Sequence, residues 1–342
     1  METDLELAQR AALTGATEAL RHFAVIADLP QERKKDGSVV TMADRAVEDT
    51  IRAVLTAARP ADAILGEEHG ETASGGNGRR WIIDPIDGTA LFVRGDNRWL
   101  VLIALEVDGE VTVGVQVVPA QGLAWWAERG RGAFRARALF NAAAPASPAG
   151  PAVPASAVPA AAAALLAPSV PSSASGADPL TPAVSLAPFT PSSVSADSHS
   201  SSPGVPPGGW GGVGAAERLV DVERIHVAAA RDGVAGSRLG VVPLDWGREV
   251  AEPLLGVAAE QPWPVHPPLL VAQGDLDVAV QTSGQIWDFA ASSVIIPEAG
   301  GVYRGLNGQE RPGTGAFVFA SSPQLLDESL RLLRGENVDM PV

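Results

Sequence analysis

The sequence predicts an α/β fold of the α+β kind, organised as one compact unit with a long insertion. An Ala/Leu-rich stretch with helical spacing opens the chain at about residues 5–27. Apolar, β-branched runs follow at 100–107 and 111–118, and Asp108-Gly109 joins them as in a β-hairpin. Helical and strand patterns then alternate again in the last third of the chain, beyond a Pro/Ala/Ser-rich segment.

This segment divides the chain. Residues 142–209 hold 14 of the 28 prolines, and their only charged residues are Asp178 and Asp197. Such a composition buries too little apolar surface to offset the entropy of ordering, so we expect a disordered insertion with polyproline II character. Residues 1–141 and 210–342 are then the N-terminal and C-terminal parts of one domain, and the insertion replaces a surface loop between strands.

Composition excludes several classes of protein. The 342 residues carry a formal net charge of −15, which disfavours nucleic acid and anionic membranes as partners. The chain has no cysteine, so disulfides and thiolate metal sites are excluded. The N-terminus is acidic and has no apolar signal core, and no run approaches a membrane span. We therefore expect a cytoplasmic protein.

The early segments predict helix, loop, helix and strand in turn. Residues 34–44 read as a charged loop that contains glycine and leads into a second helix at about Met42–Ala58. Asp44 lies in the first turn of that helix, where an acid is favourable. Residues 64–66 predict a short strand, which ends in the acidic turn 67–70.

The segment after the next strand concentrates the chemistry. Trp81-Ile82-Ile83 reads as the end of a buried strand and runs directly into two acids, Asp84 and Asp87, across a turn that contains proline. A bare Asp-Gly turn more often closes a hairpin. However, two carboxylates this close repel each other unless a cation lies between them, and oxygen ligands, including the Ile86 carbonyl, suit Mg²⁺. Gly88-Thr89 then opens a helix whose free N–H groups would face an anion.

The remaining elements follow the same alternation. Residues 122–134 predict another hairpin, and Leu269–Val280 passes from a helix through a glycine turn into a strand. A helix is predicted from Trp287 to about Glu298, with Asp288 as a good N-cap. Ser322-Pro323 starts a terminal helix.

Four strings resemble the motifs of the inositol monophosphatase family of Mg²⁺-dependent phosphomonoesterases, with the early segments nearest its bacterial histidinol-phosphatase branch. They occur in the family's order, and the resemblance extends over nearly all of the chain outside the insertion. They are Lys34-x-Asp36 with Val40-Thr41-x-Ala43-Asp44, Gly66-Glu67-Glu68, Asp84-Pro85-Ile86-Asp87-Gly88-Thr89, and Trp287-Asp288-x-Ala290-Ala291 with Glu298-Ala299-Gly300-Gly301.

The resemblance implies a layered αβαβα sandwich with a large, mostly antiparallel sheet. It also implies two Mg²⁺ ions and a possible third, weaker site that uses Glu67. The first ion would bind Glu67, Asp84 and the Ile86 carbonyl, and the second would bind Asp84, Asp87 and Asp288. A metal-activated water would then attack a small phosphorylated metabolite. Family members are commonly homodimers, but the sequence does not give the oligomeric state of this chain.

Roles at the reaction centre are carried over in the same way. The catalytic residues would be Thr89, Asp44 and Glu67, with Asp44 polarising the Thr89 hydroxyl. The N–H groups of Gly88 and Thr89 would hold phosphate oxygens. Lys34 and Gln281 would contact substrate or phosphate.

The substrate wall departs from the family pattern. Gln281 stands where inositol phosphatases carry an acid, and Pro262-Trp263-Pro264, followed by His266-Pro267-Pro268, stands where relatives have small or acidic residues. We expect this wall to reshape or narrow the pocket. Histidinol phosphate is therefore favoured slightly over inositol monophosphate, with sugar bisphosphates and phosphoadenosine phosphate as alternatives. A non-catalytic regulator with the same fold is the rival hypothesis.

Overall fold

A computed structural model describes residues 2–24, 31–33, 39–72, 75–140, 217–243 and 247–336, with the backbone alone at 31–33 and 39–41. The helices of these residues are α1 (Asp4–Phe23), α2 (Met42–Ala58), α3 (Thr89–Val93), α4 (Glu252–Leu255), α5 (Pro267–Ala272), α6 (Ile286–Ala290), α7 (Ser292–Glu298) and α8 (Pro323–Leu333).

The strands of the same residues are β1 (Gln31–Arg33), β2 (Val39–Thr41), β3 (Ala63–Gly66), β4 (Gly70–Glu71), β5 (Arg79–Asp87), β6 (Leu100–Val107), β7 (Glu110–Val118), β8 (Leu123–Glu128), β9 (Gly132–Leu139), β10 (Arg218–Ile225), β11 (Arg238–Val242), β12 (Ala259–Glu260), β13 (Val278–Gln281), β14 (Val302–Gly305) and β15 (Phe317–Ala320).

The strands form one large sheet, one smaller sheet and the β1–β2 pair. The large sheet has eight strands in the order β10-β9-β8-β7-β6-β5-β3-β4, and the smaller has five in the order β12-β11-β13-β15-β14. In the large sheet only β3 and β5 are parallel; every other neighbouring pair is antiparallel. The expectation of a large, mostly antiparallel sheet is confirmed.

Three hydrophobic cores stack these elements into layers. The first core joins α1 and α2 to one face of the large sheet. The second core lies between the opposite face and α5, α6 and α7, and it also includes side chains of the smaller sheet. The third core joins the other face of the smaller sheet to α4 and α8. The order is therefore αβαβα, as the resemblance implied.

Alternation along the strands produces this arrangement, because successive side chains point to opposite faces of a sheet. Ile83 belongs to the first core and Ile82 to the second. Trp126 and Trp125 divide in the same way, so this tryptophan pair is packing on the two faces of β8. The buried sheet is thus a rigid platform for whatever extends from its strand ends.

Three sequence expectations need comment. The first helix ends at Phe23, earlier than the predicted residue 27. The single helix predicted for 287–298 is wrong: α6 and α7 are separate, and the Ser293 hydroxyl donates to the Ala290 carbonyl at the break, 2.7 Å away. The predicted insertion, 142–209, lies outside the described residues.

No helix among the described residues is long and apolar enough to cross a membrane.

The described chain leaves the large sheet after β9 and returns to it as β10. These two strands are antiparallel neighbours, and Arg218 pairs with Leu139. The two ends of the undescribed segment 141–216 are therefore attached to adjacent positions at one edge of the sheet.

Candidate metal centre

Two carboxylates at the end of β5 share one face because the strand contains a bulge. Asp84 pairs with Leu102 and Asp87 with Leu100 on β6, so three steps along β5 match two along its partner. Without this extra residue the two side chains would point to opposite faces. Pro85 suits the bulge, since it has no N–H to contribute to the ladder. Both acids therefore face the second core, on the side of the sheet where α6 packs.

A third carboxylate enters from the neighbouring strand. β3 runs parallel to β5, and Gly66 pairs with Ile83. The next residues of the two strands, Glu67 and Asp84, consequently lie side by side at the carboxyl end of the parallel pair. The charge of Glu67 acts on both Asp84 and Asp87.

Asp288 completes the group from a segment about 200 residues further along the chain. One carboxylate oxygen of each of Asp84, Asp87 and Asp288 lies within 4.8 Å of the others. Asp288 is the third residue of α6 and not its N-cap, which corrects the sequence expectation: Gln285 is the N-cap, and its backbone N–H donates to the Asp288 carboxylate. This bond fixes the orientation of the acid.

The electrostatics show how unfavourable this cluster is by itself. Burial is the main cause that raises the pKa of Asp84 well above its ordinary value, and four nearby carboxylates add to it: Glu67, Asp87, Asp288 and Asp44. The pKa of Asp87 is likewise raised well above its ordinary value, first by burial and then by Asp288 and Glu67. The group must therefore bind protons or a cation to be stable.

A divalent cation of the Mg²⁺ kind fits these residues. All the converging side-chain donors are carboxylates, the hard oxygen ligands that Mg²⁺ prefers. Asp84 is 1 % exposed, and its Oδ1 has no hydrogen-bond partner among the described residues. A buried carboxylate oxygen without a partner is costly unless a cation is bound beside it.

A threonine next to the acids is held from two sides. Thr89 Oγ1 lies 3.1 Å from Asp44 Oδ1 and 3.1 Å from the Ile86 carbonyl oxygen. Asp44 itself is buried in the first turn of α2. Since the hydroxyl carries one proton, donating it to either oxygen leaves lone pairs on Oγ1 that face outward as acceptors. The structure thus brings together the two residues that the motifs connect.

The other predicted contacts divide into three cases. Gly88 takes a left-handed conformation at φ 84° and caps α3, a turn that favours glycine. Gln281 is the last residue of β13, 4 % exposed, and its Oε1 has no hydrogen-bond partner in the described part of the chain. Lys34 lies outside the described residues.

Sequence reasoning missed a clamp on the loop that carries Glu67. Glu48 of α2 is fully buried, and its carboxylate accepts the backbone N–H groups of Glu68, at 2.7 Å, and His69, at 3.2 Å. Arg52 forms an ion pair with Glu48 at 2.7 Å and donates to the Gly70 carbonyl at 2.5 Å. Glu and Arg four residues apart usually form a surface pair on a helix, so the spacing gave no signal.

His266 was also missed as a neighbour of the acids. This residue is the N-cap of α5, and its Nε2 lies 4.0 Å from Asp87 Oδ2. Burial lowers the pKa of His266 to about 4. In sequence it is one residue of a proline-rich wall, and nothing local connects it with β5.

Known proteins with similar sequences and folds were identified. A model of the inositol monophosphatase family matches residues 1–177 and 268–337. The histidinol-phosphatase of Mycobacterium tuberculosis is 33% identical over 307 residues, 90% of this chain and 88% of that protein. The histidinol-phosphatase of Streptomyces coelicolor is 31% identical over 334 residues, 96% of each chain. The solved structure of extragenic suppressor protein suhB from Bartonella henselae has a TM-score of 0.63 at 20% identity and covers 96% of this chain and 97% of its own.

Proposed function

Since the chain belongs to the inositol monophosphatase family, we propose that it hydrolyses a small phosphate monoester with Mg²⁺ bound at the acidic cluster. The observation that carries this proposal is the convergence of Asp84, Asp87 and Asp288 within 4.8 Å, with Glu67 beside them. The fold by itself would not establish an activity, but the family and the oxygen-donor cluster support the same one.

We assign the ligands as the motifs suggest. Glu67, Asp84 and the Ile86 carbonyl would hold one ion, and Asp84, Asp87 and Asp288 the other; Asp84 is shared. When bound, Mg²⁺ would neutralise the carboxylates, attract the phosphate oxygens and lower the pKa of a water.

The chain's own residues then orient the reactants. With its proton donated to Asp44, the Thr89 hydroxyl can accept a hydrogen bond from a water and direct that water's oxygen toward the phosphorus. Gly88 and Thr89 begin α3, so their N–H groups are suited to phosphate oxygens. The buried sheet and the Glu48 clamp keep these groups in place.

Histidinol phosphate is the ester we favour over inositol monophosphate. Two relatives that align with at least 90% of the chain are histidinol-phosphatases. A cationic amino alcohol also suits a protein with a net charge of −15. Gln281 replaces the acid that inositol phosphatases use for ring hydroxyls, so the preference for a polyol should be weaker.

Phosphate release from a panel of esters tests the proposal. The purified full-length protein is assayed with histidinol phosphate, inositol 1-phosphate and p-nitrophenyl phosphate, with Mg²⁺ and with EDTA. We expect Mg²⁺-dependent turnover, a loss of at least about 100-fold in kcat/KM for Asp87→Asn, and no change for Asp327→Asn, an exposed acid on α8. Turnover of no ester would favour the regulator hypothesis, and full activity in Asp87→Asn would refute the metal assignment.

A further inference from the structure

His266 is a buried polar side chain that lacks the partners such groups normally have. It is 4 % exposed, and neither Nδ1 nor Nε2 has a hydrogen-bond partner among the described residues. Burying an imidazole without hydrogen bonds is unfavourable, so a purely structural histidine would be expected to hydrogen-bond to a neighbouring carbonyl or hydroxyl. The ring instead faces Asp87, one of the acids of the centre.

The segment that carries His266 is fastened to its surroundings. The Trp263 indole N–H donates to the Val241 carbonyl at 3.2 Å, and the Arg98 guanidinium lies over the indole ring, 4.5 Å from its centroid. The Gln121 side chain donates to the Pro264 carbonyl at 2.7 Å. Prolines 264, 267 and 268 restrict the backbone on both sides of the histidine. These contacts hold the backbone that carries the ring in place.

The distance between the ring and the carboxylate identifies what fits between them. Nε2 and Oδ2 are 4.0 Å apart, too far for a direct hydrogen bond. An atom that forms hydrogen bonds of about 2.9 Å to both Nε2 and Oδ2 would have an angle of roughly 90° between the two bonds. A cation with ligand distances of about 2.1 Å would require an angle of roughly 145° between its two ligands. This angle fits neither adjacent nor opposite positions of an octahedral site. His266 is also not among the three residues whose ligand atoms lie within 4.8 Å of one another.

We propose that His266, together with Asp87, binds a hydrogen-bond-donating group of the substrate's alcohol portion and so contributes to specificity. A hydroxyl would donate to Asp87 and accept from the imidazole N–H, whereas a protonated amine would donate to both. The hydroxyl and the amine are both donors that the alcohol part of the ester can supply. A phosphate oxygen without a proton cannot donate to Asp87 and therefore cannot occupy the position between the two side chains. The inference rests on the proposed phosphatase function and adds a residue that the family motifs do not include.

Steady-state kinetics on three probes give the first test. In His266→Phe we expect kcat/KM for histidinol phosphate or inositol 1-phosphate to fall about tenfold, mainly through KM. Hydrolysis of p-nitrophenyl phosphate, which has no such donor, should stay within about twofold. The affected ester shows whether the group is an amine or a hydroxyl, and His266→Gln should recover part of the loss. Equal losses on all three probes, or no loss on any, would overturn the inference.

Two measurements do not depend on turnover. Replacing a buried, unpartnered imidazole with an apolar ring should leave the melting temperature of His266→Phe equal to or above that of the wild type; a clear decrease would indicate a structural role and contradict the inference.

The NMR resonances of the His266 ring provide the second measurement. The chain has five histidines, and the His266 resonances are identified by their loss in the variant. They should shift when histidinol or inositol is added with phosphate to the Mg²⁺-saturated protein. If Mg²⁺ alone produced the whole change in chemical shift, the ring would face the cation. If no change occurred, the ring would face neither the cation nor the alcohol. If the wild type hydrolysed no ester, the proposed function would fail, and the ring resonances would still decide whether His266 contacts the alcohol.

Discussion

Replacing Glu48 with glutamine should weaken both the fold and the metal centre, although Glu48 is expected to bind no ligand. Its carboxylate accepts from Arg52 Nε at 2.7 Å, from the Glu68 N–H at 2.7 Å and from the His69 N–H at 3.2 Å. Glutamine retains one acceptor oxygen and turns an NH₂ group toward a backbone or guanidinium donor. One charge-assisted hydrogen bond is lost and one buried donor is left without a partner, which together cost about 3 kcal/mol.

The effect on Mg²⁺ follows from the loop. Glu67 directly precedes the two residues whose N–H groups Glu48 binds. In Glu48→Gln this restraint is weakened, so the binding of the ion itself must order the Glu67 backbone. Ordering one residue costs about 1–2 kcal/mol. That cost corresponds to Mg²⁺ affinity weaker by about tenfold or somewhat more. Urea unfolding in EDTA measures the first effect, and calorimetric Mg²⁺ titration of the full-length protein measures the second.

The neighbouring residue provides the control. Asp49 pairs with His69 of the same loop at 3.0 Å, but its side chain is 69% exposed. Asp49→Asn should therefore change the free energy of unfolding by less than about 0.5 kcal/mol. If Glu48→Gln resembled Asp49→Asn in both stability and Mg²⁺ affinity, the clamp would not position Glu67.

Four further predictions follow from the same geometry. Gly66→Ala should destabilise the protein and weaken Mg²⁺ binding, because its Cβ would collide with the Glu48 carboxylate. Gly256→Ala, whose Cβ would have no contact under 3.7 Å, is the control, and equal melting temperatures would contradict the argument. Thr89→Val should lower kcat about 100-fold while calorimetry shows unchanged Mg²⁺ affinity, whereas Thr89→Ser keeps most activity; equal rates for the two would exclude a role for the hydroxyl. Burial and like charges raise the pKa of Asp84 and Asp87 above 3.8, so the metal-free protein should lose stability as pH rises through the raised pKa values. Mg²⁺ should therefore raise the melting temperature more at about pH 8 than at about pH 5. A larger increase at the lower pH would contradict this reasoning. Replacing 141–216 with a short hairpin loop should preserve ester hydrolysis, since β9 and β10 are paired neighbours; loss of activity in a folded variant would show that the segment contributes to function.

Local patterns in the sequence were sufficient where the chemistry lies within one segment. The hairpins at 100–118 and 122–134 and the helix Met42–Ala58 follow from apolar spacing and glycine turns, and the structure contains each of them. The convergence of Asp84 and Asp87 also follows from a local cause, since the Pro-containing turn forms a bulge in β5. For these features the decisive contacts lie within one segment or between elements adjacent in sequence.

Contacts between distant segments needed more than periodicity. Asp288 reads locally as an N-cap, and only the family motif connected it with β5; in the structure it is the third residue of α6. Glu48 reads as half of a surface pair, yet it is fully buried against a loop about 20 residues away. His266 meets Asp87 across some 180 residues. Such contacts depend on how layers pack, which spacing along one segment does not encode.

The same burial that destabilises the acidic cluster also makes it selective for cations. Four acids reach the centre from β5, the end of β3 and α6; Asp84 is buried, and Glu67, Asp87 and Asp288 are partly buried beside it. The folded chain then retains the repulsion, relieved in part by protons that the raised pKa values allow Asp84 and Asp87 to bind. A divalent cation displaces those protons and removes the repulsion together. Metal affinity and folding stability are therefore linked through the same side chains, and a variant that removes one of these charges, such as Asp87→Asn, should become more stable without metal as it loses affinity.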